Sequence, residues 1–187
     1  MSALLDVQKL TYSAFRQMEF DDNDPFPYEL LNGILVKKSA PHIRHQRISK
    51  RLLLKFDAFI TKNELGEVLY APLDVYLEEE NVPQPDLVFV SKERLKIIDE
   101  TEGIIIGAPD LVLEIISRGS IKRDRKTKKD LYERFGIPEY WLVDQNGGVE
   151  IYVLENGVYK LHNWLEEGKI TSKILDGFEL DLKDIFG

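Results

Sequence analysis

One carboxylate stands where carboxylates are seldom tolerated. Glu114 lies inside Leu111-Val112-Leu113-Glu114-Ile115-Ile116, a continuous apolar run of strand length. Removing a carboxylate from water without a partner costs several kcal/mol, so the run predicts a cation beside Glu114. That cation is either a structural Lys or Arg or a bound metal ion. Asp86 is a second candidate: it follows Pro85 and delivers the chain into Leu87-Val88-Phe89-Val90. Read alone it is a turn or strand-end aspartate. Two carboxylates from adjacent strands can supply oxygen ligands to Mg²⁺, which keeps several waters and lets substrate phosphate complete its shell. A water held in this way can act as the nucleophile. Glu29, between Tyr28 and Leu30, offers a third carboxylate, directly or through water, although its strand pattern reads as surface-facing.

A cation for Glu114 can be sought on the next helical segment. Over residues 122–135, Asp124, Lys128, Leu131 and Phe135 share one stripe, bordered by Arg125 and Tyr132. Lys128 therefore points toward the core, whereas Lys126 and Lys129 face solvent. An inward lysine can stabilise the charge that develops in phosphoryl transfer or orient the attacking water; the alternative is a side chain that snorkels along the helix edge. A purely catalytic role predicts that Lys128→Ala abolishes activity and leaves the melting temperature nearly unchanged. His45, near the start of an earlier helix, could bind a metal, move protons or touch phosphate, while His42 and His162 belong to no recognisable constellation.

The elements that must position these groups can be read from periodicity. Tyr28-Glu29-Leu30-Leu31-Asn32-Gly33-Ile34-Leu35-Val36 is two apolar runs joined by Asn-Gly and predicts an N-terminal β-hairpin. After Pro41, Ile48, Leu52, Phe56 and Phe59 or Ile60 recur at helical spacing, predicting an amphipathic helix over 42–63. Strands are expected over 68–77 and 87–90, with a short helix over 91–102. The Glu114 run reads as a central strand covered on both faces. The following helix stops at Gly136 with Pro138 behind it. Strands at 140–143, 149–154 and 158–161 then extend the sheet antiparallel. The sum is an α/β (α+β) fold in which helices flank a mixed central sheet. No repeat or linker divides the chain, so residues 1–187 are expected to form one domain.

Composition limits the chemistry further. With no cysteine, a metal must be held by oxygen or by one of three histidines, which favours a hard cation. A net charge of -8 argues against a surface built throughout to grip nucleic acid. Two basic segments run against that average: Arg44, Arg47, Lys50 and Arg51, and then Lys122, Arg123, Arg125, Lys126, Lys128 and Lys129. Each could track a phosphate backbone or be an ordinary solvated helix face. No apolar run of membrane-spanning length is present and the first residues lack the pattern of a secretory signal, so a soluble, cytoplasmic protein is expected.

Taken together, Tyr28-Glu29-Leu30-Leu31-Asn32-Gly33, His45, Gln84-Pro85-Asp86, the stretch from Ala108 to Ser117, Asp124, Lys128, Tyr132 and Gly136-Ile137-Pro138-Glu139-Tyr140-Trp141 resemble the Uma-type restriction endonuclease family of bacteria, within the PD-(D/E)xK nuclease superfamily. The resemblance covers nearly the whole chain and implies a restriction endonuclease-like core. It marks Asp86 as the first metal-binding acid, Glu114 as the acid of the (D/E)xK element and Glu29 as the acid that precedes them. It also offers His45, Tyr132 and Ser117 as candidates for substrate contact. The chain departs from the superfamily pattern at Ile116, where a lysine is usual; the resemblance implies that this lysine has moved to the following helix, as Lys128, with Lys126 as the fallback.

The leading expectation is an endonuclease for DNA dependent on Mg²⁺ or Mn²⁺, with Asp86, Glu114 and Glu29 as metal ligands and Lys128 as the charge-stabilising group. By analogy with nucleases that cut both strands, a homodimer is expected. The rival is a noncatalytic nucleic-acid-binding or protein-interaction module on the same fold, whose salt-sensitive binding would survive Asp86→Ala. A hydrolase for another substrate class is a third reading.

Overall fold

The computed structural model describes residues 9–18, 28–117 and 119–187. Along the chain, α1 (Tyr12–Phe15) precedes the hairpin β1 (Tyr28–Leu31) and β2 (Ile34–Lys37), the long helix α2 (Ile43–Lys62), and strands β3 (Gly66–Tyr70), β4 (Asp74–Tyr76) and β5 (Leu87–Ser91). A 3-10 helix (Lys92–Ile97) leads to β6 (Ile98–Asp99), β7 (Ile104–Ile106) and β8 (Leu111–Ile116). A π-helical turn (Arg123–Lys128) runs into α3 (Lys129–Arg134). The remainder is β9 (Glu139–Asp144), β10 (Val149–Glu155), β11 (Val158–Leu165), β12 (Lys169–Thr171), β13 (Glu179–Asp181) and α4 (Lys183–Phe186).

Six strands form the central sheet in the order β11-β10-β9-β8-β5-β3. Only β8 and β9 run parallel, and the others pair antiparallel, so the sheet is mixed as expected. A parallel pair cannot be closed by a tight turn, and the crossover is the π turn with α3. That connection carries Lys128 over the sheet next to the strand that carries Glu114.

All six residues of β8 are buried, and alternate side chains serve two different cores. Leu111, Leu113 and Ile115 pack with Ile48, Leu52 and Phe56 of α2 and with Trp141 and Phe178. The Phe56 and Trp141 rings meet edge to face at 5.3 Å. Val112 and Ile116 pack on the opposite face with Tyr132 and Tyr140. Strand alternation therefore turns Glu114 toward the π turn and α3.

The hairpin closes as its Asn-Gly predicts, with φ of 54° at Asn32 and 74° at Gly33, both in the left-handed region that a type I′ turn requires. Helix α2 occupies the predicted span, with His42 and Asn63 as its flanking residues. The expected strand over 68–77 is instead two strands in different sheets: β3 pairs with β5, whereas β4 pairs in parallel with β7. Pro72 separates them, and a proline has no N–H to carry a ladder onward. The segment over 91–102 is helical only as far as Ile97, then enters β6. The helix over 122–135 ends at Gly136 with φ 75°, but its first half is π rather than α.

A second acid is also buried in the sheet. Glu139 accepts hydrogen bonds from Trp141 Nε1, Ser172 Oγ, Lys173 N and Ile174 N at 2.5–3.1 Å, and so ties the C-terminal segment to β9. Its charge is met by neutral donors. Among the described residues, no helix is long and apolar enough to cross a membrane.

Candidate active site

The site lies where β8 outruns its neighbour. The pairing of β5 with β8 ends at Leu87 opposite Leu113, so Glu114, Ile115 and Ile116 continue without β5 beside them. Asp86 fills the gap: the Ile115 N–H, which a strand would otherwise satisfy, donates to Asp86 Oδ2 at 2.7 Å. His45, reaching from the first turns of α2, places Nε2 3.2 Å from the same oxygen. Burial alone would push the Asp86 carboxyl up, but His45, the charge of Lys38 and the Ile115 N–H hold it below the usual range. Burial correspondingly pulls His45 down, and Asp86 more than offsets it. Asp86 Oδ1 carries no hydrogen bond from the described residues.

Glu114 meets the partner its position demanded. Lys128 Nζ donates to Glu114 Oε1 at 2.7 Å, and Tyr132 OH donates to the same oxygen at 2.8 Å. Lys128 also lies 2.8 Å from Glu29 Oε2, and its side chain is only 1% exposed. Ile116, where the sequence resemblance leads one to look for a lysine, is buried among Tyr132 and Tyr140, and the ammonium beside Glu114 comes from the π turn instead. Lys126 is exposed and does not compete for this place.

Three expectations are corrected by these contacts. Glu29 is not surface-facing: it is fully buried, because Leu30 of the hairpin bridges to Val82 and the strand is covered on both sides. It accepts from Gln84 N at 3.3 Å, and its Oε1 lies 3.2 Å from Arg123 Nε without hydrogen-bond alignment. The structure thus brings Glu29 to Lys128 and Arg123. Tyr132 is not at the border of the inward stripe but fully buried on Glu114. The i→i+5 bonding of a π turn widens the helix, so residues four apart, Asp124, Lys128 and Tyr132, stay aligned. Finally, Lys128 is not a lone inward lysine but is paired with two buried carboxylates, so its loss is expected to cost stability.

Burial is the largest influence on the acids of this cluster. Burial, reinforced by Asp124 and Asp86 and opposed by Lys128, pushes the Glu114 carboxyl up to about 8. Burial also raises Asp124. Lys128 stays protonated: burial disfavours its charge, but Glu114, Glu29 and Asp124 outweigh burial. A carboxyl whose folded pKa lies above its unfolded value contributes stability that is complete below the unfolded pKa and lost as pH rises through the folded one. Metal-free protein is therefore expected to lose thermal stability between pH 4.5 and about 8, and Glu114→Gln to flatten that slope in melting curves taken across the range. A wild-type melting temperature that rises over this interval would refute the assignment.

Asp86 and Glu114 open into a cleft of about 1440 Å³ whose wall also includes Lys38, Arg44, His45 and Arg123. Ser117 is on this wall, and its hydroxyl bonds Ser120 at 3.1 Å. Glu29, Lys128 and Tyr132 lie behind Glu114 and form no part of the wall. Of the first basic segment, Arg44 and Lys50 face the cleft while Arg47 and Arg51 do not. In the second, Arg125 pairs with Glu150 and Lys129 lies over the Tyr152 ring at 4.2 Å, which leaves Arg123 at the site. Lys38 was not singled out from sequence, since a lysine at the end of a hairpin strand looks like an ordinary solvated one.

The free donors at the cleft are carboxylate oxygens, the ligand type that hard cations take. Glu114 Oε2, like Asp86 Oδ1, takes no hydrogen bond from the described residues, and both side chains border the cleft. Among the described residues, no group of three His, Asp or Glu side chains could hold a metal by itself. Asp86 and Glu114 are thus the two carboxylates at the cleft that could contribute oxygen ligands to a hard cation, whose remaining positions water could fill.

Comparisons with known proteins bear on the family and the fold. A family model for Uma2, described as "Putative restriction endonuclease", matches residues 12–183. No curated protein matches the chain. Among solved structures, one of "a putative nuclease belonging to DUF820" from Anabaena variabilis ATCC 29413 superposes with a TM-score of 0.75 at 18% identity, over 95% of this chain and 97% of that one. At that identity the likeness concerns the fold.

Proposed function

This chain belongs to the Uma2 family, and from that premise we propose that it is a divalent-metal-dependent endonuclease that hydrolyses DNA phosphodiester bonds. The observation that carries the reading is the pair of carboxylates, Asp86 just before β5 and Glu114 on the neighbouring β8, that line one cleft together with Lys38, Arg44, Lys50 and Arg123. Asp86 and Glu114 would hold Mg²⁺ or Mn²⁺, and the bound ion would supply Lewis acidity and an activated water.

The other residues prepare those two. His45 and the Ile115 N–H fix Asp86 Oδ2 and leave its other oxygen without a hydrogen bond from the described residues. Lys128 and Tyr132 fix Glu114 Oε1 in the same way. Glu29 serves as the counter-charge that keeps Lys128 in place, a role distinct from direct ligation. Arg44, Lys50 and Arg123 would meet the DNA backbone, where each neutralised phosphate adds salt-dependent affinity. Ser117 stands on the wall as a further contact.

Incubation of plasmid and linear DNA with the protein in Mg²⁺ or Mn²⁺, with and without EDTA, tests the reading. Cleavage that EDTA abolishes supports it. Salt-sensitive DNA binding that survives Asp86→Ala, with no cleavage in either metal, replaces it with a noncatalytic binding module.

A further inference from the structure

We propose that Lys38, rather than Lys128, is the ammonium group that meets the scissile phosphate. The inference rests on the nuclease reading and assigns a residue within it. Lys128 is unsuited to the task in this arrangement. Its Nζ bonds both Glu29 and Glu114, its side chain is 1% exposed, and Glu114 stands between it and the cleft.

Lys38 has the opposite properties. It directly follows β2, lines the cleft together with Asp86 and Glu114, and donates from Nζ to the Gln84 carbonyl at 2.7 Å. Gln84 is two residues before Asp86, so this bond tethers the ammonium at the edge of the acid pair. An ammonium has three donors, and this bond uses one. The positive charge of Lys38 acts on Glu29, Asp86, Glu114 and His45 together. Gln84 is itself held: its N–H donates to Glu29 and its side-chain amide to Asp74 Oδ1 at 2.7 Å. The anchor of Lys38 and the counter-charge of Lys128 are thus parts of one frame.

In the hydrolysis, a water oxygen bonds to phosphorus and the phosphorus–oxygen ester bond breaks. The water gives up a proton and the leaving oxygen gains one, with solvent as the reservoir. Lys38 keeps its proton throughout and donates hydrogen bonds to the non-bridging oxygens, where preorganised donors are worth most. Lys128 is then a positioning residue that acts through Glu114.

Lys38→Ala and Lys38→Arg separate the roles. For Lys38→Ala, cleavage should fall about 10²- to 10³-fold, while Mg²⁺ binding measured by calorimetry stays as tight or tightens, because a competing cation has gone. Lys38→Arg should recover part of the rate. In parallel, anisotropy of a short DNA duplex in Ca²⁺ at several salt concentrations should show the log–log salt slope of Lys38→Ala reduced by about one. Unchanged cleavage and slope would overturn the proposal. So would a loss of Mg²⁺ binding and melting temperature in step with the rate, which would make Lys38 a prop for Gln84. If the wild type cleaves no DNA in Mg²⁺ or Mn²⁺, the nuclease reading fails and the salt slope alone decides whether Lys38 meets phosphate; a duplex that does not bind overturns the assignment.

Discussion

Lys128→Ala is expected to abolish cleavage and to lower the melting temperature by about 10 °C. The ammonium is fully buried and bonded to two carboxylates that are themselves buried, Glu29 and Glu114. Removing one partner of such a pair leaves an uncompensated charge and costs about 3–5 kcal/mol, and a chain of this size loses about 2–4 °C per kcal/mol. The loss should shrink when charge is removed on both sides: Lys128→Met combined with Glu29→Gln keeps the volume and recovers much of the melting temperature. Thermal melts of the single and double variants, beside a cleavage assay, check both statements. A Lys128→Ala protein that melts like the wild type would mean that the buried trio does not exist.

Asp86→Asn should behave in the opposite way, with cleavage lost and the fold retained. Asparagine keeps an oxygen for the Ile115 N–H and for His45, so a shift of only a few degrees is expected. It removes the charge that faces the cleft. A site that depends on a metal for several kcal/mol of transition-state stabilisation should lose at least about a hundredfold, since 1.36 kcal/mol is a factor of ten. Calorimetry with Mg²⁺ and Mn²⁺ on Asp86→Asn and Glu114→Ala should show weakened or absent binding in both. Wild-type affinity for metal in either variant would remove that residue from the ligand set.

What could be read from the sequence was whatever broke a pattern. Glu114 is visible because a charge interrupts a run of aliphatic residues, and its cation was sought on the helix that follows. Lys128 was found by helical phase, and its contact with Glu114 stands in the structure. Tyr132 was misplaced by the same reasoning, because α periodicity does not hold through a π turn, and nothing in Arg123-Asp124-Arg125-Lys126-Thr127-Lys128 marks the change. Glu29 was misread because alternation assumes one wet face, and the burial of β1 depends on the distant Val82. Lys38 left no trace: its place in the cleft follows from a tertiary bond to the Gln84 carbonyl, a backbone group that every residue type possesses. The single strand expected over 68–77 failed for a related reason, since the switch of sheets at Pro72 is a property of the partners on either side.

The π turn over Arg123–Lys128 amounts to one residue more than an α-helix of the same rise would hold, and that surplus sets an angular phase. In an α-helix each residue advances the side-chain direction by about 100°. A chain one residue shorter in this turn would resume α geometry with everything on one side of the deletion rotated by about that angle relative to the other. Lys128 and Tyr132 could not then both stay on Glu114 while Asp124 keeps its own place. Insertions and deletions are usually tolerated where the chain is loose; here a change of a single residue in length, with no change of composition, would dismantle the support of Glu114 as completely as replacing the lysine itself.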